Sequence, residues 1–301
     1  MNRREMMTGA AALAAAGFPT RALTSVPIGA GSLTTVSDGN LVLPAGFLFD
    51  TMPQDELPAI RRRFGLEGDQ VTPDCNLALY RDGTRTVLFD VGSGPDFMPT
   101  AGKITDSLDA LGLAPGDITH VLFTHAHPDH IWGLLDDFGD PLFADAAYMM
   151  GRAEWDYWYD PATVDTIGEA RAAFAVGARR RMEMIEDTVE LFDDGDEVLP
   201  GIAAVSSFGH TPGHMAFEVR QGGDAALVVG DAIGNHHVAF ARPDWASGAD
   251  QDTDAAIDAR MGLLDRLASE QMTMVGFHLP DGGIGRVERA EGAYRFVPEG
   301  A

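Results

Sequence analysis

Hydrophobic residues in this chain come in short runs, and the residue that ends each run is as informative as its content. NLALYR at 76–81 and TRTVLFDV at 84–91 flank Asp82-Gly83, a turn dipeptide between two apolar runs, and predict a β-hairpin. Glycines in VGSGPDF break that pattern, and ITDSLDALGL at 104–113 then spaces its leucines for a helix. THVLFT at 119–124 predicts a short buried strand, with HIWGLLDDF at 130–138 as a helix behind it. The stretch 151–187 reads as mostly helical, with Trp155, Tyr157, Trp158 and Tyr159 bunched near its start. From 188 onward strands dominate: TVELF, GIAAVSS, HMAFEVR and AALVVG. A helix over 253–269, the strand MTMVGF at 272–277 and a hairpin through AYRFVP close the chain. This order predicts an α+β architecture of two mixed sheets face to face, with helices outside.

Composition fits that picture. The chain has 301 residues, 45 % of them hydrophobic, with no repeat, low-complexity tract or linker, so residues 23–301 are expected to form one domain. Charge is lopsided, 46 acidic against 21 basic residues for a net −25, which argues against a nucleic-acid partner. The basic run Arg179-Arg180-Arg181 sits among acids in a helical stretch and is expected to be a solvated face. No apolar stretch approaches the ~20 residues of a membrane span. A single cysteine, Cys75, excludes an intramolecular disulfide and a cysteine-based zinc site. At the start, MNRREMM precedes TGAAALAAAGF, Pro19 and Thr20-Arg21-Ala22, the layout of a removable export signal over 1–22. The adjacent Arg3 and Arg4 resemble a twin-arginine leader, although Met6 and Met7 stand where that motif usually has Phe-Leu. A periplasmic or exported protein is expected, with a cytoplasmic one carrying an alanine-rich N-terminal helix as the alternative.

The chemistry concentrates at strand ends. Of nine histidines, three fall in Thr124-His125-Ala126-His127-Pro128-Asp129-His130, directly behind the apolar HVLF. A strand holds the backbone at such a junction while the loop lets side chains converge. His125 and His127, two apart in extended backbone, project to the same side, and Asp129 and His130 follow Pro128 towards a second point. Three more runs end alike: AAVSS leads to His210, LVVG to Asp231 and VGF to His278. Imidazoles and carboxylates are the ligand set of zinc and neighbouring first-row metals, and seven such residues suffice for two ions.

These motifs, in this order, resemble the metallo-β-lactamase superfold from about residue 34 to 298. GHTPGH, VVGD, FARPDW, DQDTDAA, GFHLPDGGIGRVER and AYRFVP are similar to the branch containing methyl parathion hydrolase and related lactonases. The resemblance implies a four-layer αββα sandwich with a dinuclear metal site along one edge. Carried over residue by residue, it puts His125, His127 and His210 on one metal, and Asp129, His130 and His278 on the other, with Asp231 bridging. Zinc is the default occupant, with manganese, cobalt or iron as alternatives. His214 is expected to support the loop around His210, Asp90 to orient the histidine loop, and His120 to be structural, while His236 and His237 carry no assignment. Two departures bear on substrate: Trp132 replaces a common glycine, and Asp281-Gly282-Gly283 replaces a Phe-Pro-Gly that helps shape the pocket in that branch.

The implied activity is hydrolysis of small esters, lactones or phosphotriesters by a water that two metals acidify towards ~7. Asp129 is the expected catalytic side chain, holding the nucleophile and shuttling its proton. Ser93 in VGSG lacks the glycine of a serine-hydrolase elbow and reads as part of a turn. Asp231, where some β-lactamases carry cysteine, argues against β-lactams, and the net charge argues against nucleic acids. A mononuclear iron persulfide dioxygenase and a glyoxalase II-like thioester hydrolase are the alternatives on the same fold, and a non-enzymatic metal-binding protein is the remaining one. The expected partner is a small-molecule substrate, with the oligomeric state open and a homodimer among the options. Trp132, Trp155 and Trp158 are candidates for an apolar pocket wall, with burial in the core as the competing role.

Overall fold

The structure is a computed structural model that describes residues 24–290 and 292–300, so the leader assigned to 1–22 lies outside it. β1 (Ser25–Ile28) and β2 (Gly31–Asn40) form an antiparallel pair, and β3 (Leu43–Pro44) and β4 (Gln70–Val71) close a small ladder around α1 (Ala45–Phe49) and α2 (Leu57–Arg63). β5 (Asp74–Arg81) and β6 (Thr86–Phe89) make the expected hairpin, where Asp82 Oδ1 accepts from the N–H groups of Thr84 and Arg85 at 3.0 and 2.7 Å. α3 (Ile104–Ala110), β7 (His120–Phe123), α4 (Pro128–Ile131), β8 (Ala147–Gly151), α5 (Arg152–Tyr159), α6 (Thr163–Thr166), α7 (Ala172–Met182) and β9 (Glu190–Phe192) follow. The first sheet runs β1-β2-β5-β6-β7-β8-β9, its last four strands parallel.

The second sheet takes its strands in chain order: β10 (Glu197–Leu199), β11 (Ile202–Ser206), β12 (Met215–Gln221), β13 (Asp224–Val228), β14 (Thr273–Val275), β15 (Ile284–Ala290) and β16 (Ala293–Pro298). Between β13 and β14 the chain forms α8 (Val238–Ala241) and α9 (Thr253–Glu270), and that crossover makes the two strands parallel. Asp252 caps α9 by accepting from Ala255 N at 3.1 Å.

Alternation along the strands builds four layers. In β5, Ala78 and Tyr80 face the opposing sheet, where Phe217, Val219, Ala226 and Val228 meet them; Leu77 and Leu79 face outward into a cluster with Leu108 of α3 and Trp158 of α5. Leu122 points inward in the same way, and Val121 and Phe123 outward. On the far side Leu227 packs on Leu263, Leu264 and Leu267 of α9. Both sheets therefore bury two faces, each fully buried leucine contributing about 1.5–3 kcal/mol. The result is the expected αββα sandwich.

Three local readings change. The helix expected over 130–138 is a single turn, α4, followed by a 3-10 turn at Trp132–Leu134. Gly133 N donates to Gly92 O at 2.8 Å, and a Cβ on Gly133 would meet Val91 O at 2.1 Å, so close approach to the 91–92 backbone displaces helical continuation. The run Arg179-Arg180-Arg181 is not uniformly solvated: Arg181 is buried and donates to Trp132 O and Gly177 O at 2.9 and 3.1 Å. β2, which interrupts its apolar positions with Gly31, Thr34, Thr35 and Asp38, carries too little alternation to be read as a strand, yet it spans ten residues.

Candidate metal centre

Four strand ends meet at one edge of the sandwich. β7 runs into His125, His127, Asp129 and His130, with Pro128 at the first position of α4; β11 leads to His210, β13 to Asp231 and β14 to His278. The structure brings all seven residues together in two groups whose donor atoms lie within 4.8 Å of one another: His125, His127 and His210, and then Asp129, His130, Asp231 and His278.

In the first group His127 Nδ1 sits 3.0 Å from His125 Nε2 and 2.9 Å from His210 Nε2. Nitrogens sharing one zinc at ~2.0–2.1 Å in a tetrahedron would lie about 3.3 Å apart, close to this spacing. Hydrogen bonding to the far side of each ring sets the tautomers. Thr124 Oγ1 donates to Asp90 Oδ2 (2.8 Å) and so accepts from His125 Nδ1 (3.0 Å), while His210 Nδ1 donates to Asp250 Oδ1 (3.2 Å). Nε2 of both rings therefore presents a lone pair to His127 Nδ1, which can offer at most one proton to the two. Burial, then the neighbouring imidazoles, hold His125 and His127 well below the usual histidine range, so these two rings are neutral and offer lone pairs.

In the second group His130 Nδ1 donates to Asp90 Oδ2 at 2.8 Å and His278 Nδ1 to Asp74 O at 2.7 Å, turning both Nε2 atoms inward. His130 Nε2 lies 3.4 Å from Asp231 Oδ1 and 3.6 Å from Asp129 Oδ2, and His278 Nε2 lies 3.2 Å from Asp231 Oδ2 and 3.3 Å from Asp129 Oδ2. Asp231 Oδ2 also reaches to 3.4 Å from His210 Nε2, so this carboxylate stands between the groups. Asp129 Oδ2, His130 Nε2 and Asp231 Oδ1 are buried with no hydrogen-bond partner. Two carboxylates at such a place demand positive charge: burial opposes it, yet Asp231, Asp129 and Asp90 push His130 up to about 10, and Asp231 also raises His278. Partnerless buried oxygens and nitrogens facing one point fit a divalent cation.

The surrounding shell is as specific. Asp90, held at φ 66°, also accepts from Thr124 N at 2.7 Å, which fits its expected orienting role. His214 stands outside both groups: its Nε2 accepts from Asp231 N at 3.0 Å while Nδ1 bonds Ser207 Oγ at 2.7 Å, so it holds the Asp231 backbone as well as its own loop. His237 accepts from Val238 N at 2.9 Å and caps α8, and His120 bonds Thr119 Oγ1 at 2.8 Å. One contributor has no sequence signal. Glu154 of α5, fully buried, accepts from Ala126 N (2.8 Å), Trp158 Nε1 (2.6 Å), Thr211 Oγ1 (2.7 Å) and Gly213 N (3.0 Å), tying the His125–His127 loop to the His210 loop.

The groups open into a cavity of about 810 Å³, its mouth included, lined on one side by Leu41, Leu43, Phe47, Leu48, Phe97 and Phe174. The three tryptophans are not among its lining residues. Trp155 and Trp158 are core, because α5 lies on the outer face of the first sheet. Trp132 lies beneath Phe97 at 5.5 Å, with Arg181 over its ring at 4.6 Å. Nor does the 281–283 loop line the cavity: Asp281, Gly282 and Gly283 run through φ 56°, 80° and 74°, and a Cβ on Gly283 would meet Gly276 O at 2.1 Å. That turn lets Asn76 Nδ2 donate to Phe277 O and Leu279 O at 3.0 and 2.8 Å, bracketing His278.

Comparison with known proteins agrees with this geometry. Residues 72–278 match the metallo-beta-lactamase superfamily. An uncharacterised protein of Mycobacterium tuberculosis is 32 % identical over 64 % of this chain and 81 % of its own length. An N-acyl homoserine lactonase (AttM) of Azorhizobium caulinodans is 29 % identical over 37 % of this chain and 39 % of its own. Among solved structures, a hydrolase of the beta lactamase superfamily (AbOPH) superposes with TM-score 0.85 at 26 % identity, covering 92 % of this chain and 97 % of that one. A dizinc quorum-quenching lactonase (AidC) shares the fold with TM-score 0.86 at 23 % identity, covering 93 % and 98 %.

Proposed function

The chain belongs to the metallo-beta-lactamase superfamily, and we propose that within it this protein is a dinuclear hydrolase of small, uncharged lactones and esters. Membership and the clustered donors make it a metal-dependent hydrolase. The finer reading rests on one observation: two donor groups share Asp231, whose Oδ2 stands 3.4 Å from His210 Nε2 and 3.2 Å from His278 Nε2. A mononuclear dioxygenase would need one group, whereas here four residues complete a second.

His125, His127 and His210 would hold one cation, Asp129, His130 and His278 the other, and Asp231 both. Divalent cations there supply an electrophile for a carbonyl oxygen and make a water acidic enough to attack near neutral pH. The protein's own residues do the rest. Asp129 holds the attacking water in line through its carboxylate, takes up its proton at Oδ1 and returns that proton to the leaving oxygen. Asp90, Thr124, Asp74 and Asp250 fix the rings, so no reorganisation is needed when charge develops. Phe97, Phe174 and the leucines exclude bulk water and accept an alkyl or aryl arm. A surface of net charge −25 repels polyanions. The lactonase named among the relatives supports the lactone reading.

The test is kcat/KM of the zinc-loaded protein on an aryl acetate, a γ-lactone, a dialkyl aryl phosphate and an aryl phosphate dianion with matched leaving groups. The lactone and acetate are expected to lead and the dianion to trail. A dianion as best substrate would move the protein to phosphodiesterase-like chemistry.

A further inference from the structure

The ligand rings are steadied by unlike parts of the fold. His125 Nδ1 bonds Thr124, the residue after β7; His130 Nδ1 bonds Asp90, the residue after β6; His278 Nδ1 bonds the carbonyl of Asp74, the first residue of β5. Those three partners take their places from the first sheet. Asp250, which holds His210 Nδ1 at 3.2 Å, sits instead in the irregular segment 242–252 between α8 and α9. A carboxylate that orients a ligand needs support of its own, and no strand supplies it here.

Two arginines do. A segment without helix or ladder bonds must find other donors for its carbonyls. Arg260, buried in α9, gives Nε to Pro243 O at 2.9 Å, Nη2 to Trp245 O at 2.8 Å and Nη1 to Asp250 Oδ2 at 3.3 Å. Arg171, just before α7, gives Nη2 to Gly248 O at 2.8 Å and to Ala249 O at 3.0 Å. With Oδ2 on Arg260 and Oδ1 on His210, the plane of the Asp250 carboxylate is fixed. The backbone joins in: Gln251 N is shared by Gly209 O and His210 O at 3.0 and 3.2 Å, and Asp252 N donates to Gly209 O at 2.8 Å. Both arginines also line the cavity into which the donor groups open, where positive charge opposes a bound cation. Their presence there costs metal affinity unless they contribute geometry.

We propose that Arg171 and Arg260 are positioning residues for the metal ligand His210. They clamp residues 243–250 so that Asp250 keeps the Nε2 of that ring turned towards His125 and His127, and their effect on the metal passes through Asp250. This rests on the dinuclear reading above and adds to it the residues that set one of its two sites.

The experiment counts bound zinc and measures its affinity by chelator competition in wild type, Arg171→Met and Arg260→Lys. Arg171→Met keeps a similar stem and removes the charge. By Coulomb's law alone that change would tighten a cation, whereas loss of the clamp should loosen one of the two zinc ions by about 10-fold or more. Arg260→Lys keeps the charge and loses the planar fork; it should loosen one ion as well, and it reads the effect if the methionine variant melts early. With cobalt in place of zinc, the visible ligand-field bands should shift in both variants. In an Asp250→Ala background Arg171→Met should add little further loss, because the two changes break one path. A variant that holds both zinc ions as tightly as wild type, or more tightly, overturns the assignment of its arginine, and an additive loss with Asp250→Ala overturns the path through Asp250. A wild type that binds one zinc overturns the dinuclear reading, and the clamp with it if that zinc does not loosen in the variants.

Discussion

Replacing Glu154 by glutamine changes one atom in a carboxylate that four buried donors share. Whichever way the amide flips, an NH₂ group takes the place of an acceptor. At Oε2 it faces the Thr211 hydroxyl, which can turn to accept, and Gly213 N–H, which cannot; at Oε1 it faces Ala126 N–H and Trp158 Nε1–H, neither of which can accept. The first arrangement orphans one N–H, at about 1–3 kcal/mol. pH modulates this cost. Burial pushes the Glu154 carboxyl from its ordinary 4.5 up to about 7, against the four hydrogen bonds that favour its charge. The folded state therefore holds a proton that the unfolded chain releases at lower pH, so the contribution of Glu154 to wild-type stability is fullest below pH 4.5 and falls as pH rises through 7. Between pH 5.5 and 7 that loss is about 2 kcal/mol at 1.36 kcal/mol per unit, and glutamine does not titrate. Denaturant unfolding of the metal-free proteins should show Glu154→Gln less stable at pH 5.5, with the gap narrowing by about 2 kcal/mol towards pH 8.5. In chelator competition the variant should release metal about 10-fold more readily from the group that includes His127 and His210, with the other group little changed. A gap that does not vary with pH, together with wild-type metal retention, would refute the view of Glu154 as the tie between the two loops.

Asp231→Ala should remove most activity and weaken both metals, because its two oxygens face His130, His210 and His278, whereas His214→Ala should cost roughly 10-fold through the lost acceptor for Asp231 N–H. Metal analysis of both variants checks this, and metal lost from His214→Ala but kept by Asp231→Ala would contradict it. Export through residues 1–22 is also proposed. Arg3-Arg4→Lys-Lys should hold the protein in the cytoplasm on cell fractionation, and periplasmic protein at the wild-type level would reject the twin-arginine route.

The seven donors were legible because they follow four apolar runs, four of them behind HVLF and one behind each of the others, so strand ends and ligand-type side chains coincide in the sequence. Glu154 had no such signature. GRAEWDYW reads as an ordinary helix start, and the carboxylate matters only because β8 lies beside β7 while the His210 loop arrives from the other sheet. Asp250 falls within DQDTDAA, a stretch of family likeness, but no spacing links it to His210 forty residues away. The residues that do wall the pocket were not legible, for a related reason. Trp155 and Trp158 are grouped in sequence by one helix that turns them into the core, whereas Phe97 and Phe174 meet from a loop and a distant helix, 6.2 Å apart. Local pattern reveals side chains that one element aims, and it misses those that converge only after packing.

If turnover requires two cations around Asp231, activity must follow the second metal. Metal-free protein is titrated with zinc, and bound metal and lactone hydrolysis are measured at each addition. Bound zinc is expected to saturate at two equivalents per chain, with most activity arriving with the second; saturation and full activity at one equivalent would rule out a dinuclear site.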